Sequence, residues 1–133
     1  MDPKLIDTIL ESAKTVAVVG ISNRPERPSN HVAAYVRKAG FRIYPVNPVL
    51  TEVLGEPCHP SLESIPGPVD LVDVFRRSED VLPVAEEAIR KGVRWFWMQE
   101  GVVNEAARAL LEAAGIGVVM DRCMLKELAA RGR

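Results

Sequence analysis

The chain has 133 residues, 47% hydrophobic and 26% charged, with 17 basic against 18 acidic side chains, a net charge of -1 and two cysteines. That length makes one domain (residues 1–133) with a real core and is too short for two. Near-neutrality excludes the basic footprint of nucleic-acid binding, and the absence of a long apolar run or a basic leader leads us to expect a cytoplasmic protein without a membrane partner.

Apolar runs, Gly and Pro divide the chain into alternating elements. Asp2 caps a first helix with Pro3 at its first position, and Leu5, Ile6, Ile9, Leu10 and Ala13 recur at helical spacing. TVAVVG (15–20) reads as a strand buried on both faces. Ser29 caps a helix carrying Val32, Tyr35, Val36 and Ala39, and RIYPV (42–46) is the second strand. The segment 49–68, rich in Pro and Gly, is too broken for a helix and holds a short extra strand near Val53 and Leu54. LVDVF (71–75) is followed by a helix over 80–91 with Pro83 in its first turn, then by the strand RWFWM (94–98). Asn104 caps a helix with Ala107, Leu110, Leu111 and Ala114, GVVM (117–120) is the last strand, and Asp121 caps a final helix through Leu125 and Leu128. Gly40, Gly92 and Gly115 each end a helix just before a strand. Five such βα units imply an α/β fold: a Rossmann-like, doubly wound parallel sheet of about five strands with helices on both faces, in the order 3-2-1-4-5.

In such a sheet, ligands bind outside the carboxyl ends of the strands, where the strand order reverses. The first loop, VVGISNRPERPSNH, keeps the glycine after the strand, Gly20, but lacks the later glycines of G-x-G-x-x-G. It offers Ser22, Asn23, Arg24 and Arg27 ahead of a helix start at Ser29, a set suited to phosphates. Equally, Ser29 only caps and both arginines face solvent. Local charge favours the first reading: from Gly20 to Leu50 there are five Lys and Arg against Glu26 alone, a +4 segment that suits a small polyanion.

Asn47 ends the second strand where a nicotinamide-binding fold places an acid; Arg76 and Arg77 follow the third strand, and Gln99, Glu100 and Gly101 the fourth. Asp73 lies inside a strand as a buried or edge carboxylate held by hydrogen bonds. Trp95 and Trp97 read as core rather than as a stacking platform. His31, Cys58 and His59 have no metal-ligand spacing, and Cys58 and Cys123 read as free thiols.

VAVVGISNRPERPSNHVAAYVRKAGFRIYPVNP (16–48), GEP (55–57), VDLVDVFRRSE (69–79), WFWMQEGVVNEAA (95–107) and VVMDRCMLKE (118–127) together resemble the standalone CoA-binding domain proteins, similar to the N-terminal domain of the succinyl-CoA synthetase α subunit. The resemblance implies coenzyme A as the ligand. Gly20, Ser22, Asn23 and Arg24 would hold its phosphates, Asn47 and Pro48 would flank the nucleotide, and Met98, Gln99 and Glu100 would contact the pantetheine arm. Arg76 matches the family's arginine after the third strand, and its contact with CoA is our own inference. The synthetases have more glycine in the first loop and a basic residue soon after the counterpart of Pro48; here Val49 and Leu50 follow, so Arg24 or Arg27 must supply that charge. They also need a phosphohistidine domain with no counterpart in this sequence, so the ligase reaction is not transferred. The expectation is a noncatalytic module binding CoA or acyl-CoA, with a protein partner left open. The alternatives are an NAD(P)-binding oxidoreductase-like protein and an acyl-CoA transforming enzyme using Cys58 or Cys123.

Overall fold

A computed structural model describes residues 3–133, so the Asp2 cap lies outside the described residues. The helices are α1 (Pro3–Ser12), α2 (Pro28–Lys38), α3 (Val81–Lys91, entered through a 3-10 turn at Ser78–Asp80), α4 (Glu105–Ala113) and α5 (Met124–Ala130). The strands are β1 (Thr15–Val19), β2 (Arg42–Val46), β3 (Glu52–Val53), β4 (Glu56–Pro57), β5 (Leu71–Val74), β6 (Trp95–Met98) and β7 (Gly117–Val119).

Five strands form one parallel sheet in the order β2-β1-β5-β6-β7. Class and strand number are as expected; the order is not. Counting only these five strands in chain order, the sheet runs 2-1-3-4-5 instead of 3-2-1-4-5. The reversal therefore falls between β1 and β5, with β2 at the edge. Two local features account for this. Pro45 has no amide to donate, which suits an edge strand, and its carbonyl faces outward to accept the His59 amide at 2.9 Å. Asp70 pins the start of β5 to the start of β1. Its carboxylate accepts the Lys14 and Thr15 amides at 2.8 and 3.2 Å, while its own amide donates to the Thr15 hydroxyl at 2.9 Å. All four β5 residues are buried, as a central strand requires.

The extra strand expected near Val53 and Leu54 is the first arm of a short antiparallel hairpin, β3 with β4. Leu54 and Gly55 turn it with φ of 55° and 75°, the two positive angles of a type I′ turn. The chain then runs beside the end of β2, pairing Val46 with His59 and covering the sheet's outer edge.

Alternation along the strands sends side chains into two layers. Val18 and Trp97 meet Ile9 and Leu10 of α1, Val32 and Val36 of α2, and Leu128 of α5 on one face. Ala17, Val72 and Phe96 meet Ala85 and Ala88 of α3 and Leu111 of α4 on the other. Trp95 and Trp97 are core residues, and the Trp97 indole donates to the Arg122 carbonyl at 2.8 Å. Asn104 caps α4 as expected, accepting from the Ala107 amide at 2.9 Å. Two other expected caps are corrected. Arg27 holds the cap position of α2 with Pro28 as first residue, so the Ser29 hydroxyl is free to accept the Ser22 amide at 2.9 Å. Cys123 precedes α5, and Asp121, at φ 58°, turns its carboxylate to the Gly101 amide at 2.7 Å. Among the described residues, no helix is long and apolar enough to cross a membrane.

Asp73, in the middle of β5, is 1% exposed and its Oδ1 has no hydrogen-bond partner among the described residues. The expectation that hydrogen bonds hold it is corrected for that oxygen. Burial raises its carboxyl well above the ordinary value of 3.8, so the folded state favours the protonated form. The folded chain then binds a proton that the unfolded chain has released, and stability falls as pH rises from the ordinary carboxylate range up to the raised pKa. Each unit of difference costs about 1.4 kcal/mol. Asp73→Asn should therefore flatten the pH dependence of stability above about pH 4 and raise the urea midpoint at pH 7 above the parent's. Parallel pH profiles for the two proteins would contradict this assignment.

Candidate functional site

Between the carboxyl ends of β1 and β5, the chain leaves in opposite directions, to α2 on one face and α3 on the other. A crevice at this switch point follows from the topology. It is an open cavity of about 610 Å³, lined from the β1–α2 segment, the residues after β5, the turn after β6 and the residue before α5.

Gly20 makes the floor possible. It has φ 88°, and a Cβ there would lie 2.4 Å from the Phe75 carbonyl oxygen. The Gly20 amide donates to Val46 O at 3.0 Å and the Phe75 amide to Val19 O at 2.8 Å, so the ends of β2, β1 and β5 are drawn together around it. Beyond Gly20 the loop is folded by its own polar groups. Ser22 Oγ accepts the Arg24 amide at 3.1 Å and the Asn30 side chain donates to the Ser22 carbonyl at 2.9 Å. Asn30 and Ser29 are buried by these contacts.

Of the residues singled out from sequence, Gly20, Ser22, Arg24, Arg27, Ser29, Arg76, Gln99 and Glu100 line this cavity, and Asn23, Asn47, Pro48 and Met98 do not. Met98 is fully buried in the core. Asn47 is a brace: its amide donates to Ile21 O at 3.0 Å, while Oδ1 accepts the Val49 and Leu50 amides at 2.8 and 3.3 Å. It holds the first loop against the second. Arg77 and Cys123, both named from the sequence, line it too, as do Pro28, Val32, Phe75 and Val102, which were not singled out. Val32, Phe75 and Val102 are apolar and give no chemical signal in a sequence; Cys123 was named as a free thiol and candidate nucleophile, without a place beside the phosphate loop.

The cavity's charge comes from Arg24, Arg27, Arg76 and Arg77, with Glu100 opposing. These cations are not equivalent. Arg24 pairs with Glu26 at 3.2 Å, and Arg77 with Asp80 at 3.0 Å and Glu79 at 3.7 Å. Glu100 is held by Lys126 at 2.9 Å. Arg27 and Arg76 have no acidic partner among the described residues. Arg37, counted in the +4 segment, is turned away: it bonds Glu56 at 3.2 Å and the Leu54 carbonyl at 2.7 Å. The start of α2 contributes less than a bare helix end, because Pro28 has no amide and those of Asn30 and His31 donate to the Arg27 carbonyl. Guanidinium groups therefore dominate the attraction for an anion.

Both cysteines are free thiols. Burial pushes the Cys58 thiol up, partly offset by backbone hydrogen bonding at Asn47, and its Sγ lies 3.8 Å from the Asn47 carbonyl. Among the described residues, no three His, Cys, Asp or Glu side chains are grouped to hold a metal ion.

Residues 14–129 match the family model described as a CoA binding domain. The chain is 46% identical over 119 residues to uncharacterized protein YneT of Bacillus subtilis, covering 90% of this chain and 88% of that one. It is 32% identical over 121 residues to acetate–CoA ligase (ADP-forming) I of Archaeoglobus fulgidus, which takes 84% of this chain but only 18% of the ligase. A solved hypothetical protein from Pyrococcus horikoshii OT3 superposes with a TM-score of 0.94 at 37% identity, over 98% of this chain and 92% of that one.

The close approach at Gly20 is directly testable. Gly20→Ala should destabilise the fold by about 2 to 4 kcal/mol, since it combines a left-handed backbone with a collision against a carbonyl. A urea midpoint within error of the parent would contradict that reading.

Proposed function

The chain belongs to the CoA binding domain family, and from that premise we propose that it binds coenzyme A or an acyl-CoA in the switch-point cavity as a noncatalytic binding, carrier or sensor module. The observation that carries this reading is the pair of unneutralised guanidinium groups, Arg27 and Arg76, on a cavity whose floor is apolar at Val32, Phe75 and Val102. CoA combines phosphates with a long arm of amides and methylenes. The arginines meet the first and the apolar floor the second.

Ser22, Arg24 and Ser29 complete the phosphate end in this reading, and Gln99 and Glu100 face the pantetheine arm. Asn23 and Pro48 have no direct role in it, and Asn47 acts through the loop it braces. The ligase reaction stays with relatives of which this chain spans less than a fifth of the length.

Calorimetric titration with CoA should give micromolar or tighter binding, with little heat from NAD. Arg27→Ala and Arg76→Ala should each weaken binding by about 1 to 3 kcal/mol, the value of a charge-assisted hydrogen bond. Arg37→Ala, remote from the cavity, should bind as the parent does. Absence of heat with CoA, or an equal loss in all three variants, would sink the proposal.

A further inference from the structure

The turn after β6 and the start of α5 carry two groups that phosphate binding leaves unused. Gln99 lines the cavity yet is only 4% exposed. Its Oε1 accepts the Met124 amide at 3.2 Å, which fixes the plane of the side chain. The Nε2 donors have no partner among the described residues. Unlike Asp73 Oδ1, these donors are not sealed from solvent, and with Gln99 on the cavity wall they are open to a ligand's acceptor. Cys123, next in chain to the Met124 that Gln99 holds, is 9% exposed and lines the same cavity, and its free thiol has no hydrogen-bond partner among the described residues. Cys58 is outside the cavity, its Sγ turned to the Asn47 carbonyl.

We propose that this end of the cavity receives the sulfur end of the ligand, and that Cys123 exchanges with the ligand's disulfide form to hold it as a mixed disulfide. The inference rests on the CoA reading above. Gln99 Nε2 donates to the amide carbonyl nearest the ligand's sulfur and so sets the sulfur against Cys123.

The step is stoichiometric. Cys123 Sγ, as thiolate, attacks one sulfur of the symmetrical CoA disulfide; the Cys123–sulfur bond forms as the original S–S bond breaks. The second CoA leaves as a thiolate and takes up the proton that Cys123 released. Cys123 is oxidised, the departing sulfur is reduced, and a small thiol reverses the exchange.

Intact-protein mass spectrometry after incubation with CoA disulfide tests this. The expected result is one CoA adduct, removed by dithiothreitol, absent from Cys123→Ser and retained in Cys58→Ser. Because binding places the sulfur, the adduct should form at least about tenfold faster than one from 2-hydroxyethyl disulfide at equal concentration. In Gln99→Leu the rate with CoA disulfide should fall and the rate with the small disulfide should not. No adduct, an adduct on Cys58, equal rates for the two disulfides, or an unchanged rate in Gln99→Leu overturns the inference. Calorimetry with reduced CoA on the parent and on Cys123→Ser separates the two levels of the account. Retained binding without an adduct defeats this inference alone, whereas absence of binding in the parent defeats the CoA reading beneath it.

Discussion

The side-by-side placement of β1 and β5 is the constraint on which the site depends. Asp70 ties the two strands at their starts through three hydrogen bonds to Lys14 and Thr15. At their ends Gly20 lies against the Phe75 carbonyl, closer than any side chain would permit. Because α2 and α3 then pack on opposite faces, the crevice opens between those ends. Its lining residues come from segments far apart in sequence, brought together by strand order.

The same constraint decides which charges matter. Net charge is close to zero, and the +4 segment read from sequence is only partly a property of the site. Arg37 is spent on Glu56 and the hairpin turn, while Arg24 and Arg77 have acids of their own. Arg27 and Arg76 remain uncompensated, one from each side of the crevice. Exposed ion pairs contribute little to stability, and two arginines left without acids beside an apolar floor are better explained by an anionic ligand than by the fold.

The elements were legible because each carries its own period and punctuation. The Asn104 cap, the buried Trp95 and Trp97, and the break between β2 and β5 all follow from local chemistry. Strand order was less so, since it depends on pairings between distant residues. Pro45 did hold a clue, because a strand lacking an amide is best placed at an edge. The polar wall residues Ser22, Arg27, Arg76 and Gln99 could be found from their positions at strand ends. Asn47 shows the limit of that approach: a strand-end position does not reveal whether an amide faces a ligand or braces a neighbouring loop. The apolar floor, and the place of Cys123 on the cavity wall, emerge only when the fold brings these segments together.

Amide hydrogen exchange with and without CoA reports where on the sheet the ligand sits. Slower exchange is expected only in the segment after β1 through the first turn of α2, the residues after β5, the turn after β6 and the start of α5. The β3–β4 hairpin and the amino ends of the strands should be unchanged. Protection centred on the hairpin or on the opposite end of the sheet, with the switch-point segments unaffected, would contradict that placement.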